Sequence, residues 1–347
     1  MAERSGSVVL FTGGDDEALR MWTVAPGGAA TSRPVTGLST GNLDQVAAAP
    51  DGSVYAARGT DGLWRIRPDG RAVAVIRTAR GPGPDDGAGV ADFHPFLVRG
   101  VAVADDGTVY VSDTSNELSS LRVHRLADGR VSRIAGAIDA PEGSHWSPET
   151  IDPARGVPAL SPWIPGGASG YITWSKDGVI VQTHGCLVRI TSLGRILPFV
   201  AARNPAALKR PSASFQPFGR AIDAAVVAPS RTMSLSPIAD LAVDASDGAL
   251  FYGAGSGAAS GEAGRATGPA FDWPDDLTRS QRSFAHGVTD GQAIYRAEPG
   301  GSVAAVVRSS TAVAVTHGYV YVANESCSGK ACPVRGVHSA VIRVRIP

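Results

Sequence analysis

Polar and apolar positions alternate in short runs along this chain, most clearly in the segment 100–136. There, Val101 and Val103 precede an Asp-Asp-Gly turn, Val109 and Val111 follow it, and two more apolar strands flank a second Asp-Gly turn. Period-two alternation interrupted by Asp-Gly is the strongest short-range signal for β-hairpins. The segment therefore predicts four antiparallel strands joined as a meander.

Segments of the same kind recur along the chain at intervals of roughly 40 residues or more, a period typical of a β-propeller. The copies predict an all-β fold: a six-bladed β-propeller of four-stranded antiparallel blades, in a single domain covering residues 1–347. The predicted blades cover approximately residues 5–37, 43–80, 97–136, 168–200, 238–308 and 311–347.

The first and last predicted blades each lack one strand. The first has no innermost strand in the prediction, and the last has no outermost strand. Propellers of this type usually close by pairing segments from the two chain ends, because an open sheet edge invites aggregation. Two interpretations follow: residues 1–6 contribute to closure, or the chain is a piece of a longer protein.

The composition suits a core with many tight turns, since 43% of the 347 residues are hydrophobic and 42 are glycine. Lys+Arg and Asp+Glu both total 32, and the zero net charge predicts no nucleic-acid or membrane partner. Three of the basic residues are lysine and the rest are arginine. This bias, with the abundant Ala, Gly and Asp, indicates a high-GC bacterial gene and little functional meaning for arginine.

Targeting signals are missing from the printed sequence. No stretch approaches the roughly 20 apolar residues that a membrane-spanning helix needs, and the first residues have neither the apolar core nor the processing site of a secretion signal. As written, the chain is predicted to be cytoplasmic. A fragment of a larger membrane protein would instead be extracellular.

The three cysteines point to structure rather than to chemistry. Cys327 and Cys332 bracket four residues of a long loop, a spacing that closes a small disulfide, although in a cytoplasmic protein they equally stay reduced. Such a pair alone is a weak metal motif. Cys186 is predicted to be a small buried apolar residue where a strand begins.

The third repeat resembles the NHL family of propellers. The matching positions are Gly100, Val101, Val103, Asp106-Gly107, the run 109–116 (VYVSDTSN), Asp128-Gly129 and the closing 134–136 (IAG). The segment 8–24 departs from this pattern and is more similar to a WD40 blade, with Trp22 on its third strand. The resemblance implies the propeller fold over nearly the whole chain, with a close match in the third blade.

The resemblance also implies a class of use. NHL propellers mostly bind proteins, peptides, glycans or RNA, and some are sensor domains of bacterial receptor kinases. A few related six-bladed propellers are lyases or hydrolases with a metal on the central axis. Their metal-binding residues are not recognisable in this sequence, so we expect no metal and no cofactor and carry over no catalytic residue.

The long connections all belong to one end of the predicted blades. Turns between first and second strands, and between third and fourth strands, are short. The other connections hold the long segments, which are 81–96, 137–169, 201–237, 253–292 and 324–339. Loops of that length in a compact domain are usually functional or disordered. The sequence therefore predicts that function lies on the face that bears these loops.

This face also collects histidines, aromatic residues and an aspartate. The predicted ligand-binding residues are His94, His145, Trp146, Trp163, His184, Asp272, Trp273, His286 and His338. Aromatic rings offer contact area at low entropic cost. For each ring taken singly, the competing interpretation is that it packs a long loop onto the propeller.

These observations predict a recognition or sensor propeller that binds a protein, peptide or small ligand on its long-loop face. If the chain is a fragment, it is the sensor part of a larger bacterial protein. The alternative is a propeller enzyme, a lyase or hydrolase, with its site at the mouth of the central channel. Its weak catalytic candidates are His184, His286 and His94, and no phosphate-loop, zincin or serine-hydrolase motif is present.

Overall fold

The computed structural model divides the chain into two compact units, Met1–Phe199 and Val200–Pro347, which we describe separately. The residues that the structure describes are 2–4, 6–12, 18–25, 29–39, 43–79, 87–114, 120–137, 151–152, 154–162, 164–165, 170–183, 186–200, 241–244, 247–254, 293–297, 303–307, 313–316, 319–324 and 340–345.

The first unit contains four antiparallel sheets, each made from strands that follow one another along the chain. The first sheet contains β1 (Ala2–Arg4), β2 (Ser7–Thr12), β3 (Arg20–Val24) and β4 (Ala30–Pro34). The second contains β5 (Gln45–Ala48), β6 (Val54–Ala57), β7 (Leu63–Ile66) and β8 (Ala72–Ile76). A short 3-10 helix, Val90–Asp92, precedes the next sheet.

The third sheet contains β9 (Val98–Val103), β10 (Val109–Thr114), β11 (Ser120–Ala127) and β12 (Arg130–Ala135). Two short strands then follow, β13 (Val157–Pro158) and β14 (Ile164–Pro165). The fourth sheet contains β15 (Ile172–Ser175), β16 (Gly178–Thr183), β17 (Cys186–Ile190) and β18 (Arg195–Val200). The second, third and fourth sheets each contain a four-stranded antiparallel meander.

The first sheet differs from its prediction because it has a first strand. Residues 2–4 form β1, whose Ala2 and Glu3 pair with Val9 and Val8 of β2. The run Ala-Glu-Arg has no apolar alternation, and for that reason the sequence pattern does not predict it. The expectation that the first blade lacks an innermost strand is wrong.

The long 137–169 connection also contains structure that the sequence does not predict. Its strand β13 pairs with β18 at the outer edge of the fourth sheet, and β14 pairs with the beginning of β11. Ile151, Ala159 and Ile164 are buried in the core between the third and fourth sheets. The described part of this connection therefore packs against the sheets.

The Asp-Gly turns between first and second strands share one hydrogen-bonding scheme in the second and third sheets. Oδ1 of Asp51 accepts from the backbone N–H of Ser53 at 2.9 Å, and Oδ1 of Asp106 accepts from that of Thr108 at 2.8 Å. The glycine that follows each aspartate has a positive φ, 81° at Gly52 and 86° at Gly107. The aspartate side chain therefore accepts a backbone N–H of the turn, and glycine adopts the positive φ that the turn requires. Together these explain why the dipeptide recurs.

Two aspartates of the turns between first and second strands form ion pairs with arginines of the third strands. In the second sheet Asp51 pairs with Arg65, and in the fourth sheet Asp177 pairs with Arg189 at 3.3 Å. These pairs are partly exposed, so each is worth at most about 1 kcal/mol. They link the first turn of a sheet to its third strand.

Three apolar layers lie between the successive sheets of the first unit. One lies between the first and second sheets and includes Met21 and Ile66. The next joins the second and third sheets, and the last joins the third and fourth. The first strands β1, β5, β9 and β15 also contact one another in that order. Sheets packed face to face, with first strands side by side, are the arrangement of propeller blades.

The second unit contains two further antiparallel sheets within its described residues. Four strands form one, β19 (Leu241–Val243), β20 (Leu250–Ala254), β21 (Ala293–Ala297) and β22 (Val303–Val307). Three form the other, β23 (Val313–Thr316), β24 (Tyr319–Asn324) and β25 (Ala340–Arg345). In its first sheet, Asp247 pairs with Arg296 at 2.5 Å, as in the first unit.

The described chain is thus all-β, with several four-stranded antiparallel sheets. A ring of six blades in one domain stays a prediction. Over the described ranges, no helix is long and apolar enough to cross a membrane.

Candidate functional site

Most of the residues predicted for the ligand-binding face lie outside the described residues. These are His145, Trp146, Trp163, His184, Asp272, Trp273, His286 and His338, together with the possible disulfide of Cys327 and Cys332. His94 is described and half-buried, and its Nδ1 lies 3.0 Å from the carbonyl oxygen of Arg77, just beyond the end of β8. The roles of all these residues stay predictions.

A different group of polar residues comes together where the first strands of the first unit begin. We call it the inner-strand site and define it as Asp44, Gln45, Arg58, Arg99 and Ser112. Asp44 and Gln45 lie at the start of β5, and Arg99 lies at the start of β9. Arg58 follows β6, and Ser112 is near the end of β10. This is the end of the sheets at which the long connections enter.

Gln45 joins three sheets at this point. Its buried amide oxygen accepts from the backbone N–H groups of Val101 and Ile172, each at 3.1 Å. Its amide nitrogen donates to the carbonyl oxygen of Ile172 at 2.8 Å. One side chain on β5 thereby satisfies backbone groups of β9 and β15, which holds the three first strands in a set relation.

Gly100 allows these strands to approach closely. A Cβ at this position would lie 2.7 Å from Oγ of Ser112 and 2.8 Å from Oε1 of Gln45. The Ser112 hydroxyl is buried and donates to the carbonyl oxygen of Gly170. The glycine therefore leaves the space in which the polar groups of three sheets meet.

Arg99 occupies a β-bulge. In the ladder between β9 and β10, Ser112 pairs with Gly100 and Asp113 pairs with Val98, so that Arg99 is the extra residue. The other described ladders between first and second strands run without such a shift. Bulges redirect a side chain and are over-represented next to active sites. This one changes the direction of an arginine at the beginning of an inner strand.

The stem of Arg99 crosses towards the fourth sheet. A Cβ added to Gly170, whose φ is 135°, would lie 2.9 Å from Cβ of Arg99. The guanidinium end is close enough to Asp44 of the second sheet to influence its ionisation. Nε of Arg99 is buried and makes no hydrogen bond with the described residues. A cationic group with an unused donor therefore lies over the starts of three strands.

Asp44 is half-buried beside two arginines, and its ionisation is unusual. Burial raises the pKa of its carboxyl above the ordinary 3.8, and three opposing influences fail to cancel this. They are attraction to Arg99, a hydrogen bond from the Gly59 backbone and attraction to Arg58. Arg58 is itself held by Asp61 at 2.8 Å and by Oγ of Ser39 at 3.2 Å. Asp44 is therefore protonated more readily than a free aspartate.

A second cluster lies deeper in the third sheet. Asp113 is fully buried and accepts from both Nε and Nη2 of Arg122, at 3.1 Å and 2.5 Å. Nε2 of His124 lies 3.0 Å from the same carboxylate, and the ring of Phe93 packs on His124 at 4.7 Å between centroids. Burial acts to raise the pKa of Asp113, but His124 and Arg122 outweigh it and hold that pKa below 3.8.

The sequence pattern does not predict the inner-strand site, and the reasons differ between residues. Ser112 belongs to the run that resembles NHL repeats, but its hydrogen-bond partner Gly170 is not apparent from that run. Arg99 and Arg58 do not stand out as candidate site residues, because the many arginines of the chain are attributed to coding bias. Among the described residues, no group of three or more His, Cys, Asp or Glu side chains is arranged to hold a metal ion.

The chain matches no protein-family model, and no curated protein is significantly similar to it. Solved structures are similar to it at low identity. A gluconolactonase from Xanthomonas campestris is 11% identical, with 95% of this chain and 82% of that chain covered and a TM-score of 0.43. The calcium-binding protein regucalcin from Agrobacterium tumefaciens is 11% identical, with 98% and 92% covered and a TM-score of 0.45.

An auxiliary nutrient binding protein from Bacteroides ovatus is also similar, with 11% identity, 90% of this chain and 63% of that chain covered, and a TM-score of 0.41. The chain spans 64% of one Bacteroides thetaiotaomicron neighbour and 31% of another. Described enzymes and binding proteins thus both occur among the similar structures, and none of the reported names specifies NHL repeats.

Proposed function

We propose that this chain is a six-bladed β-propeller that recognises a small polar ligand at its inner-strand site. The observation that carries the proposal is the bulge at Arg99, which directs a partly exposed arginine over the starts of three strands. The ligand contacts Arg99, and Asp44 and Arg58 border it.

The surroundings of Arg99 support a recognition role because they are already ordered. Gln45 and Ser112 direct their hydrogen bonds to backbone groups of neighbouring sheets. They therefore hold the strands while Arg99 is available for a ligand. A site whose scaffold is rigid before binding loses little conformational entropy when the ligand arrives.

A small ligand fits the dimensions of the site better than a protein surface does. Gln45 spans from β5 to both β9 and β15 with a single side chain, so the three strand starts lie within hydrogen-bonding reach of one residue. Such a patch matches one or two polar groups.

The test is a binding screen with matched variants. Thermal shift and calorimetry would be run on the full chain with sugars, sugar acids, amino acids and short peptides. Arg99→Ala should lose binding, whereas Arg71→Ala, at an exposed arginine at the start of the second sheet's outer strand, should keep it. Equal binding by the two variants would exclude the inner-strand site as the place of recognition.

A second candidate function is hydrolysis, and the raised pKa of Asp44 favours it. A carboxyl that takes up a proton more readily than a free aspartate can donate it to a leaving group and later accept one from water. Two similar structures are described as gluconolactonases, so lactones are the first substrates to test. Asp44→Asn should abolish turnover, while Asp177→Asn, at a partly exposed turn, should leave it unchanged. Equal turnover in both variants would exclude Asp44 as the acid–base group.

A further inference from the structure

We infer that the inner-strand site is selective for a small molecule carrying a carboxylate, which Arg99 holds through its guanidinium. This inference rests on the proposed function and adds the chemical class of the ligand. It follows from which polar groups at the site are already engaged and which are available.

The hydrogen-bonding inventory of the site leaves a donor for the ligand. The amide oxygen of Gln45 accepts two backbone N–H groups, its amide nitrogen donates to Ile172, and the Ser112 hydroxyl donates to Gly170. Nε of Arg99 is buried from solvent and makes no hydrogen bond within the described part of the chain, but the residue as a whole is partly exposed. A ligand that reaches the terminal N–H groups of this guanidinium must supply an acceptor.

The shape of the donor favours a carboxylate over a neutral acceptor. A guanidinium is planar and always charged, and its parallel N–H groups match the two oxygens of a carboxylate. The stem of Arg99 lies over Gly170, where a side chain would collide with it. The first two carbons of the side chain thus lie against Gly170, and the charged end is close enough to Asp44, before β5, to affect its ionisation.

Charges around Arg99 also favour an anion. Asp61 is paired with Arg58 at 2.8 Å and partly compensates that charge. Asp44 lies just before β5 and is close to both Arg99 and Arg58, the latter in the segment after β6. It also accepts a hydrogen bond from the backbone N–H of Gly59. Burial raises the pKa of Asp44, so this carboxyl takes up a proton more readily than a free aspartate. When it does, Arg99 loses the balancing charge of Asp44, whereas Arg58 keeps that of Asp61.

A carboxylate placed beside Asp44 would disfavour its ionised form, since like charges repel. Binding should therefore be accompanied by proton uptake at Asp44, and affinity should fall as pH rises. This coupling distinguishes a carboxylate that enters next to Asp44 from an anion that binds elsewhere on the surface.

The experiment is calorimetric titration of the full chain with acetate, lactate, malate and citrate, and with the neutral diamide of malate. Each titration is repeated at about pH 6 in Bis-Tris and in imidazole, cationic buffers of different ionisation enthalpy, so that proton uptake appears as a buffer-dependent heat. We expect at least one carboxylate to bind about tenfold or more tightly than the diamide, with net proton uptake.

The variants assign the effect to named groups. Arg99→Gln keeps most of the stem over Gly170 and should weaken carboxylate binding about tenfold or more, whereas Arg99→Lys should retain part of it. Asp44→Asn should bind the carboxylate without proton uptake. Arg71→Ala should behave as the parent chain, and circular dichroism would confirm that every variant is folded.

Three results would overturn the inference. They are equal affinity for malate and its diamide, unchanged binding by Arg99→Gln, and no binding of any carboxylate up to about 10 mM, an upper bound for a weak specific site. If sugars or other neutral ligands still bind in an Arg99-dependent manner, the proposed function stands and the carboxylate selectivity fails. Preference for a tripeptide with a free C terminus over its C-terminal amide and over malate would assign the carboxylate to a peptide.

Discussion

Two arginine–aspartate pairs in the first unit have the same chemical groups and opposite behaviour. Arg122 and Asp113 form a buried, doubly hydrogen-bonded pair in the third sheet, and the pKa of Asp113 is lowered. Arg99 and Asp44 face each other at the inner-strand site, and the pKa of Asp44 is raised. Geometry, rather than residue type, therefore separates a pair that stabilises the sheet from one that is available to a ligand.

The cause is the number of short contacts made to each carboxylate. Asp113 accepts two hydrogen bonds from Arg122 and lies 3.0 Å from Nε2 of His124. These contacts outweigh the cost of burying its charge. Asp44 has longer-range attractions to Arg99 and Arg58 and one backbone hydrogen bond. The cost of burying its charge exceeds these contributions, so its pKa is raised. Four predictions test the comparison, beginning with the largest expected effect.

Asp113→Asn should lower the free energy of unfolding by about 3–5 kcal/mol, because it removes the buried carboxylate to which Arg122 donates two hydrogen bonds. Denaturant unfolding followed by circular dichroism measures this. Asp44→Asn is the matched control and should change the same quantity by less than about 1 kcal/mol. A small loss in Asp113→Asn would show that the two pairs contribute alike.

Gly170→Ala should cost about 1–3 kcal/mol through its positive φ and should also displace the Arg99 stem. The control is Gly107→Ala, which has a positive φ of 86° but no atom within 4 Å of the added Cβ. Both variants should lose stability, and calorimetry should show weakened carboxylate binding for Gly170→Ala alone. Normal binding by Gly170→Ala would mean that the position of the Arg99 stem is unimportant.

Stability should depend on pH in opposite senses at the two aspartates. The folded pKa of Asp113 is lowered, so its stabilising effect is present above about pH 3.8 and is lost as pH falls through the folded value. The folded pKa of Asp44 is raised, so its favourable contribution is present below about pH 3.8 and is lost as pH rises through the folded value.

Urea unfolding of the parent chain and of each asparagine variant across this range measures the two contributions. The deficit of Asp113→Asn should shrink towards acid. Asp44→Asn should gain relative to the parent as pH rises above 3.8. If the free energy of unfolding changed with pH in the same way in all three proteins, the assigned directions of the two pKa shifts would be contradicted.

Asp177→Asn should have the smallest effect, about 0–1 kcal/mol, because its ion pair with Arg189 is partly exposed and screened by salt. Thermal unfolding at low and high salt measures it. A loss comparable to that of Asp113→Asn would show that the turn pairs resemble the buried pair in strength.

The sequence predicts the sheets well and the inner-strand site poorly. Alternation and Asp-Gly turns locate the strands, since both signals are local. Strands as short as β13 and β14 escape this approach because two residues cannot display a period. Their positions depend on partner strands that lie far along the chain.

The inner-strand site depends on tertiary contacts, which explains why its residues carry no local signal. The bulge at Arg99 exists only in the register between β9 and β10. The role of Gln45 becomes apparent only when β5 lies beside β9 and β15, because its hydrogen bonds go to backbone groups of those strands. Composition gives no help either, because in a chain with many arginines the sequence does not distinguish Arg99, at the bulge, from the others.

The strand β13 has a consequence for how the protein behaves at high concentration. Ala159 donates its N–H inward to Gly194 at 2.8 Å, so the nitrogen of the preceding Pro158 points away from the fourth sheet. A proline there offers no N–H to an approaching chain. Within the described residues β13 is the outer strand of the fourth sheet, so we expect that replacing Pro158 by a residue with an N–H would favour self-association.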